Sequence, residues 1–103
     1  MIDEVARHRG ELQAVCRRNG VKRLDLFGSA SRGDFDQASS DVDFLVEFDT
    51  GKVNRLSLKG YFRFKQELEA VLGRPVDLLE ASELRNPYLR ASIERSMERV
   101  FES

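Results

Sequence analysis

Asp41 and Asp43 stand at the head of an apolar alternation formed by Val42, Phe44, Val46 and Phe48. Two carboxylates two residues apart on a strand lean to the same side, about 6.5–7 Å apart along the chain. They repel each other and lose hydration, a cost that a cation between them would offset. A third acid, Asp77 in RPVDLLE, alternates in the same way with Val76 and Leu78, and from a neighbouring strand it can close the same site. Hard oxygen ligands in this number suit Mg²⁺, which takes one or two carboxylates together with substrate phosphates and keeps its remaining waters. Two such ions, about 3.5–4 Å apart, can activate an attacking oxygen and stabilise a leaving one. An isolated Asp-x-Asp is as readily a pair of exposed acids, so the case rests on the third acid and on what precedes the pair.

What precedes it is Gly28-Ser29, at the end of the run VKRLDLF. A strand that ends in glycine and opens a helical turn presents free backbone N–H groups, which with the Ser29 hydroxyl can hold terminal phosphate oxygens. Arg32 can add charge-assisted bonds to the same phosphates. Ser31 and Ser40 are further candidates, Ser40 reading equally well as a loop residue beside the second strand. The segment lacks the Gly-Lys-Ser/Thr ending of a Walker A loop.

The elements that must carry these residues follow from periodicity. Helical spacing over residues 2–18 (Ile2, Val5, Leu12, Val15, Cys16) ends at Asn19-Gly20. A half-buried strand over VKRLDLF, a short turn of helix at 29–32 and a polar loop at 33–40 lead to the second strand. Residues 49–55 are polar. Leu58, Tyr61, Phe62, Leu68, Val71 and Leu72 mark a helix over about 56–72 that Gly73 ends. The third strand, VDLLE, precedes an Asn86-Pro87 helix start, and Leu89, Ile93, Met97 and Val100 carry the last helix to about Phe101. The reading is an α+β, two-layer fold: a small mixed sheet of about three strands, covered on one face by helices. Period-2 alternation then gathers Asp25, Asp41, Asp43 and Asp77 on the opposite, open face. Asp25, near its strand's centre, reads as structural.

Bulk properties narrow the function classes. At 103 residues the chain reads as a single domain spanning 1–103. A formal net charge of −1, with no aromatic stacking positions on the open face, argues against direct nucleic-acid binding. One cysteine, Cys16 on an apolar helix stripe, excludes an intramolecular disulfide and fits a reducing compartment. No apolar run approaches membrane-spanning length and no signal-peptide pattern opens the chain, so a cytoplasmic location is expected. His8 reads as a surface residue. Tyr61, Phe62 and Phe64 read as core and rim, as do Tyr88 and Leu89 at the start of the last helix.

In combination, LFGSASRGDFDQASSDVDFLVEF and the later RPVDLLE resemble the minimal nucleotidyltransferases of the DNA polymerase β-like superfamily. The resemblance covers nearly the whole chain, with Gly-Ser, Arg-Gly, Ser-Asp-x-Asp and a later strand Asp in the family's order. It implies that Asp41, Asp43 and Asp77 are catalytic and hold two Mg²⁺ ions, and that Gly28 and Ser29 bind the phosphates of ATP. Eleven residues separate Ser29 from Asp41, one more than in many members, which bears on where Arg32 meets the phosphates. Small single-domain members look like the antitoxin half of HEPN–MNT toxin–antitoxin pairs. There the implied activity is transfer of AMP from ATP to a tyrosine of a HEPN-domain ribonuclease toxin. Two alternatives stand beside this one: a catalytically silent antitoxin that neutralises its toxin by steric binding, and nucleotidyl transfer to RNA or a small molecule. Size points independently to a partner, because so small a domain has no room for an acceptor-binding subdomain.

Overall fold

In a computed structural model, residues 2–28, 41–49 and 58–103 are described. The elements run α1 (Asp3–Arg7), α2 (Arg9–Arg18), β1 (Val21–Phe27), β2 (Val42–Phe48), α3 (Leu58–Leu72), β3 (Val76–Glu80), a 3₁₀ turn (Ala81–Glu83), α4 (Pro87–Ser96) and β4 (Glu98–Glu102). The strands form one sheet in the order β3-β2-β1-β4. β1 is antiparallel to both β2 and β4, whereas β2 and β3 are parallel, joined by the crossover that contains α3. The result, among the described residues, is a mixed sheet of four strands rather than about three.

The alternation read from sequence is what the sheet uses. Leu24 and Leu26 of β1, Val42, Phe44 and Val46 of β2, and Val76 and Leu78 of β3 are buried. They meet Val5, Leu12, Val15 and Cys16 of α1 and α2 and Phe64, Leu68 and Leu72 of α3 in the main core. Burial pushes the Cys16 thiol up to about 12, so it is an inert core group. The single N-terminal helix expected over 2–18 is instead two helices, because His8 leaves helical geometry at φ −103°, ψ 15°.

The larger departure is at the C-terminus. The helix expected to reach Phe101 ends at Ser96, and residues 98–102 form β4 beside β1. Leu24 faces Phe101 and Asp25 faces Arg99, so Val100 is an extra residue, a bulge that lets Val100 and Phe101 both be buried. The second face of the sheet also carries a cover. Leu45, Leu84 and Ile93 are buried together, with Phe27, Leu79, Ala81 and Met97 packed against them. α4 rests there chiefly on Ile93, so Tyr88, expected in the core, is 85% exposed, and Leu89 is exposed too. Phe62 likewise lies on the surface while Phe64 of the same helix is fully buried.

Both outer strands are capped by side chains. On β4, the Arg9 guanidinium donates to the carbonyls of Arg99 (3.0 Å) and Val100 (3.3 Å), and Gln13 donates to the Val100 carbonyl (3.2 Å). On β3, the Tyr61 hydroxyl donates to the Leu78 carbonyl and the Glu69 carboxylate accepts from the Val76 N–H at 2.9 Å. These bonds satisfy backbone groups that an edge strand otherwise leaves to solvent or to another chain.

Candidate active site

The end of β1, the start of β2 and the start of β3 meet at one end of the sheet. Register fixes their relation: Phe27 faces Asp43 across the β1–β2 pair, and Asp43 faces Asp77 across the β2–β3 pair. Adjacent strands lie about 4.8 Å apart and paired residues project to the same face. Asp43 and Asp77 therefore present their carboxylates side by side, on the face opposite the main core. Asp41 stands just before β2 and is exposed; Asp43 is half-buried and Asp77 exposed. The adjoining Val42 N–H donates to the Pro75 carbonyl at 3.2 Å, which ties the start of β2 to the start of β3.

Gly28 is the second half of the arrangement. Its φ of +75° is a conformation that side chains of L-residues rarely adopt. A Cβ placed there would lie 2.5 Å from Oδ2 of Asp43. The backbone at Gly28 is thus pressed against the Asp43 carboxylate, and only glycine fits the approach. Ser29, Arg32 and Ser40 lie outside the described residues, as do the short helical turn and the loop expected around them.

Among the described residues, no three His, Cys, Asp or Glu side chains are gathered closely enough to hold a metal ion. The described geometry is a pair, Asp43 and Asp77, with Asp41 one residue outside the strand. A pair of hard carboxylate oxygens on adjacent strands, with the space of a missing Cβ beside one of them, fits a Mg²⁺ that takes its other ligands from phosphates and water.

The surroundings were not foreseen from sequence. Tyr61 of α3 stands close enough to β3 that burial, followed by the charges of Asp77, Glu83 and Glu80, holds its phenol above the ordinary range. Burial and the charge of Glu83 likewise raise Glu80. Asp25, expected on the acid face, is there but only 4% exposed. It accepts a hydrogen bond from Arg99, which also bonds Glu102 at 2.7 Å, so it belongs to the β1–β4 junction. Leu45 and Leu79 follow Asp43 and Asp77 by two residues on the same face and carry the α4 cluster. Apolar residues at those two positions were the readable sign that this face is not wholly open.

The nucleotidyltransferase domain family matches residues 9–100 of the chain. A candidate protein adenylyltransferase of Methanocaldococcus jannaschii is 39% identical over 92 residues, covering 89% of each chain. The solved structure of a candidate minimal nucleotidyltransferase is 32% identical, overlays 94% of this chain and 95% of its own, and gives a TM-score of 0.77. A solved complex of a tri-AMPylated HEPN toxin of Shewanella oneidensis with an MNT antitoxin shares the fold. Its TM-score is 0.66 at 18% identity, with 95% of this chain and 72% of that one covered. The chain belongs to the nucleotidyltransferase family, in its minimal form. No helix among the described residues is long and apolar enough to cross a membrane.

Proposed function

We propose that the chain is an antitoxin that transfers AMP from ATP to a tyrosine of a HEPN-domain toxin, with residues 1–103 acting as one minimal nucleotidyltransferase domain in the cytoplasm. The observation that carries the reading is the register of Asp43 against Asp77, with Gly28 closed upon Asp43. The relative from M. jannaschii bears the name of a candidate protein adenylyltransferase, and the S. oneidensis complex pairs an MNT antitoxin with an AMPylated HEPN toxin. Both support the acceptor being a protein.

In this reading Asp41, Asp43 and Asp77 hold two Mg²⁺ ions. When bound, the metal supplies positive charge to the phosphates and lowers the pKa of a coordinated oxygen. The chain's own residues do the positioning. The turn at Gly28 and Ser29 receives the terminal phosphates through backbone N–H groups and a hydroxyl, and Arg32 and Ser40 add donors. The acceptor tyrosine gives up its phenolic proton to solvent and its oxygen bonds to the α-phosphorus, while the bond from that phosphorus to the bridging oxygen breaks and pyrophosphate leaves. Holding both reactants in line is the greater part of such catalysis.

The test is incubation of the purified chain with a HEPN-domain protein encoded beside it, ATP and Mg²⁺, followed by mass spectrometry of that protein. An AMP adduct on tyrosine, absent with Asp43→Asn, is the expected result. A ribonuclease silenced equally by Asp43→Asn, without adduct, would replace this reading by steric neutralisation.

A further inference from the structure

We infer that Glu69 is a positioning residue for Asp77; the inference rests on the metal-holding role proposed above for that aspartate. Among the described residues, β3 lies at the edge of the sheet, with β2 on its inner side. The N–H of its first residue, Val76, points outward, where no described strand receives it. Oε2 of Glu69 receives it at 2.9 Å. On the inner side, the Pro75 carbonyl accepts from the Val42 N–H at 3.2 Å. The Pro75–Val76 peptide, one step before that of Asp77, is thus held from both sides, by the helix that crosses over the sheet and by the strand that carries Asp43.

The approach to that peptide is fixed as well. Arg74 donates from Nε and Nη2 to the two oxygens of Glu4, both at 2.7 Å, a bidentate pair that ties the start of β3 to α1. The Gly73 N–H closes α3 on the Glu69 carbonyl at 2.7 Å. Glu69 consequently bonds the chain twice, through its backbone at the helix end and through its side chain at the strand start. The turn between them has little freedom to slide.

A carboxylate is a costly choice at this place. In the last turn of a helix it opposes the helix dipole, where Lys or Arg would gain. It also sets negative charge against Val76, one residue before Asp77. What a carboxylate gives in return is a strong, directed acceptor for a single N–H at the first residue of an edge strand. Displacement of Val76 there translates directly into displacement of Asp77 against Asp43, since the two aspartates are paired by register.

The test uses Mn²⁺ as probe, titrated by electron paramagnetic resonance into the full chain with a non-hydrolysable ATP analogue, below the melting temperature of every variant. Glu69→Met removes the acceptor and should weaken Mn²⁺ binding about 10-fold, as loss of a group that orients a metal ligand does. Glu69→Gln keeps a carbonyl acceptor and should bind as the parent does. Glu69→Asp withdraws the carboxylate by one methylene and should weaken binding in the same direction; it serves if the methionine variant does not fold. Asp77→Asn is the control for the underlying site and should abolish the tight Mn²⁺ site. Parent-like Mn²⁺ affinity in a folded Glu69→Met or Glu69→Asp chain, whatever its melting temperature, would overturn the positioning role while Asp77→Asn still loses the metal. Undiminished binding in Asp77→Asn would instead overturn the site reading itself.

Discussion

Gly28 offers the sharpest perturbation of the site, because a matched control exists in the same chain. Gly28 and Gly73 both have positive φ, +75° and +69°, but a Cβ at Gly73 meets nothing within 4 Å, whereas at Gly28 it lies 2.5 Å from Asp43 Oδ2. Alanine at either position costs about 1–2 kcal/mol for the left-handed backbone, reduced by about 0.4–1 kcal/mol through the stiffer unfolded chain. Gly73→Ala should therefore lose about 1 kcal/mol, a fall of roughly 4–8 °C in Tm for a domain of this size. Gly28→Ala carries the same backbone cost and must in addition drive the Asp43 carboxylate aside. A misplacement of about 1 Å in a reacting constellation costs on the order of 100-fold in rate. Melting curves and AMP-transfer rates for both variants, measured below either Tm, separate the two effects. The expected pattern is similar stability losses with activity collapsing only in Gly28→Ala. Equal activity losses in both, or an active Gly28→Ala, would refute the link between Gly28 and the aspartate.

Asp77→Asn removes one of two like charges facing each other across β2 and β3, so without metal the chain should gain about 0.2–1 kcal/mol; it should also lose the rise in Tm that Mg²⁺-ATP gives the parent, both read by thermal melts. Asp25 and Arg99 should respond unequally to substitution, because the Asp25 side chain is 6% exposed and that of Arg99 35%. Arg99→Met strands a buried carboxylate and should cost about 3 kcal/mol, whereas Asp25→Ala frees an arginine that reaches water and should cost nearer 1 kcal/mol, by chemical denaturation. Tyr61 is raised by burial and by nearby acids, so the folded state favours the neutral phenol. Its contribution is full below the unfolded value of about 10 and is lost as pH rises through the higher folded value. Tyr61→Phe should abolish that alkaline loss and cost about 1 kcal/mol at neutral pH for the bond to the Leu78 carbonyl, both measured by urea unfolding across pH.

The sequence was most legible where one element's own pattern decides its structure. Val42, Phe44, Val76 and Leu78 put Asp43 and Asp77 on one face by period alone, and the parallel register then brought them opposite each other. β4 was hidden because Leu89, Ile93, Met97 and Val100 are spaced as a helix would have them. What turns 98–102 into a strand is pairing with β1, some seventy residues away in the chain, and no local propensity carries that information. The burial of Asp25 has the same origin, since its partner Arg99 arrives only with β4. Tyr88 was misplaced because α4 has a single fully buried residue, Ile93, and a helix anchored so lightly leaves its apolar side chains outside. The positive φ of Gly28 fits the turn its position suggested, but the approach to Asp43 depends on two segments meeting and is invisible in either alone.

The capped margins of the sheet decide how this molecule can join others. Tyr61 and Glu69 occupy backbone groups of β3 at Leu78 and Val76, and Arg9 and Gln13 occupy those of β4 at Arg99 and Val100. A visiting strand would have to displace a helix-borne side chain at each of these points before gaining a hydrogen bond, so its net gain is small. Copies of the chain are thereby kept from stacking edge to edge into an open-ended ribbon. Among the described residues, the surfaces that remain to a partner are the helices and the end of the sheet where Gly28, Asp43 and Asp77 meet, neither of which extends a ladder of strands.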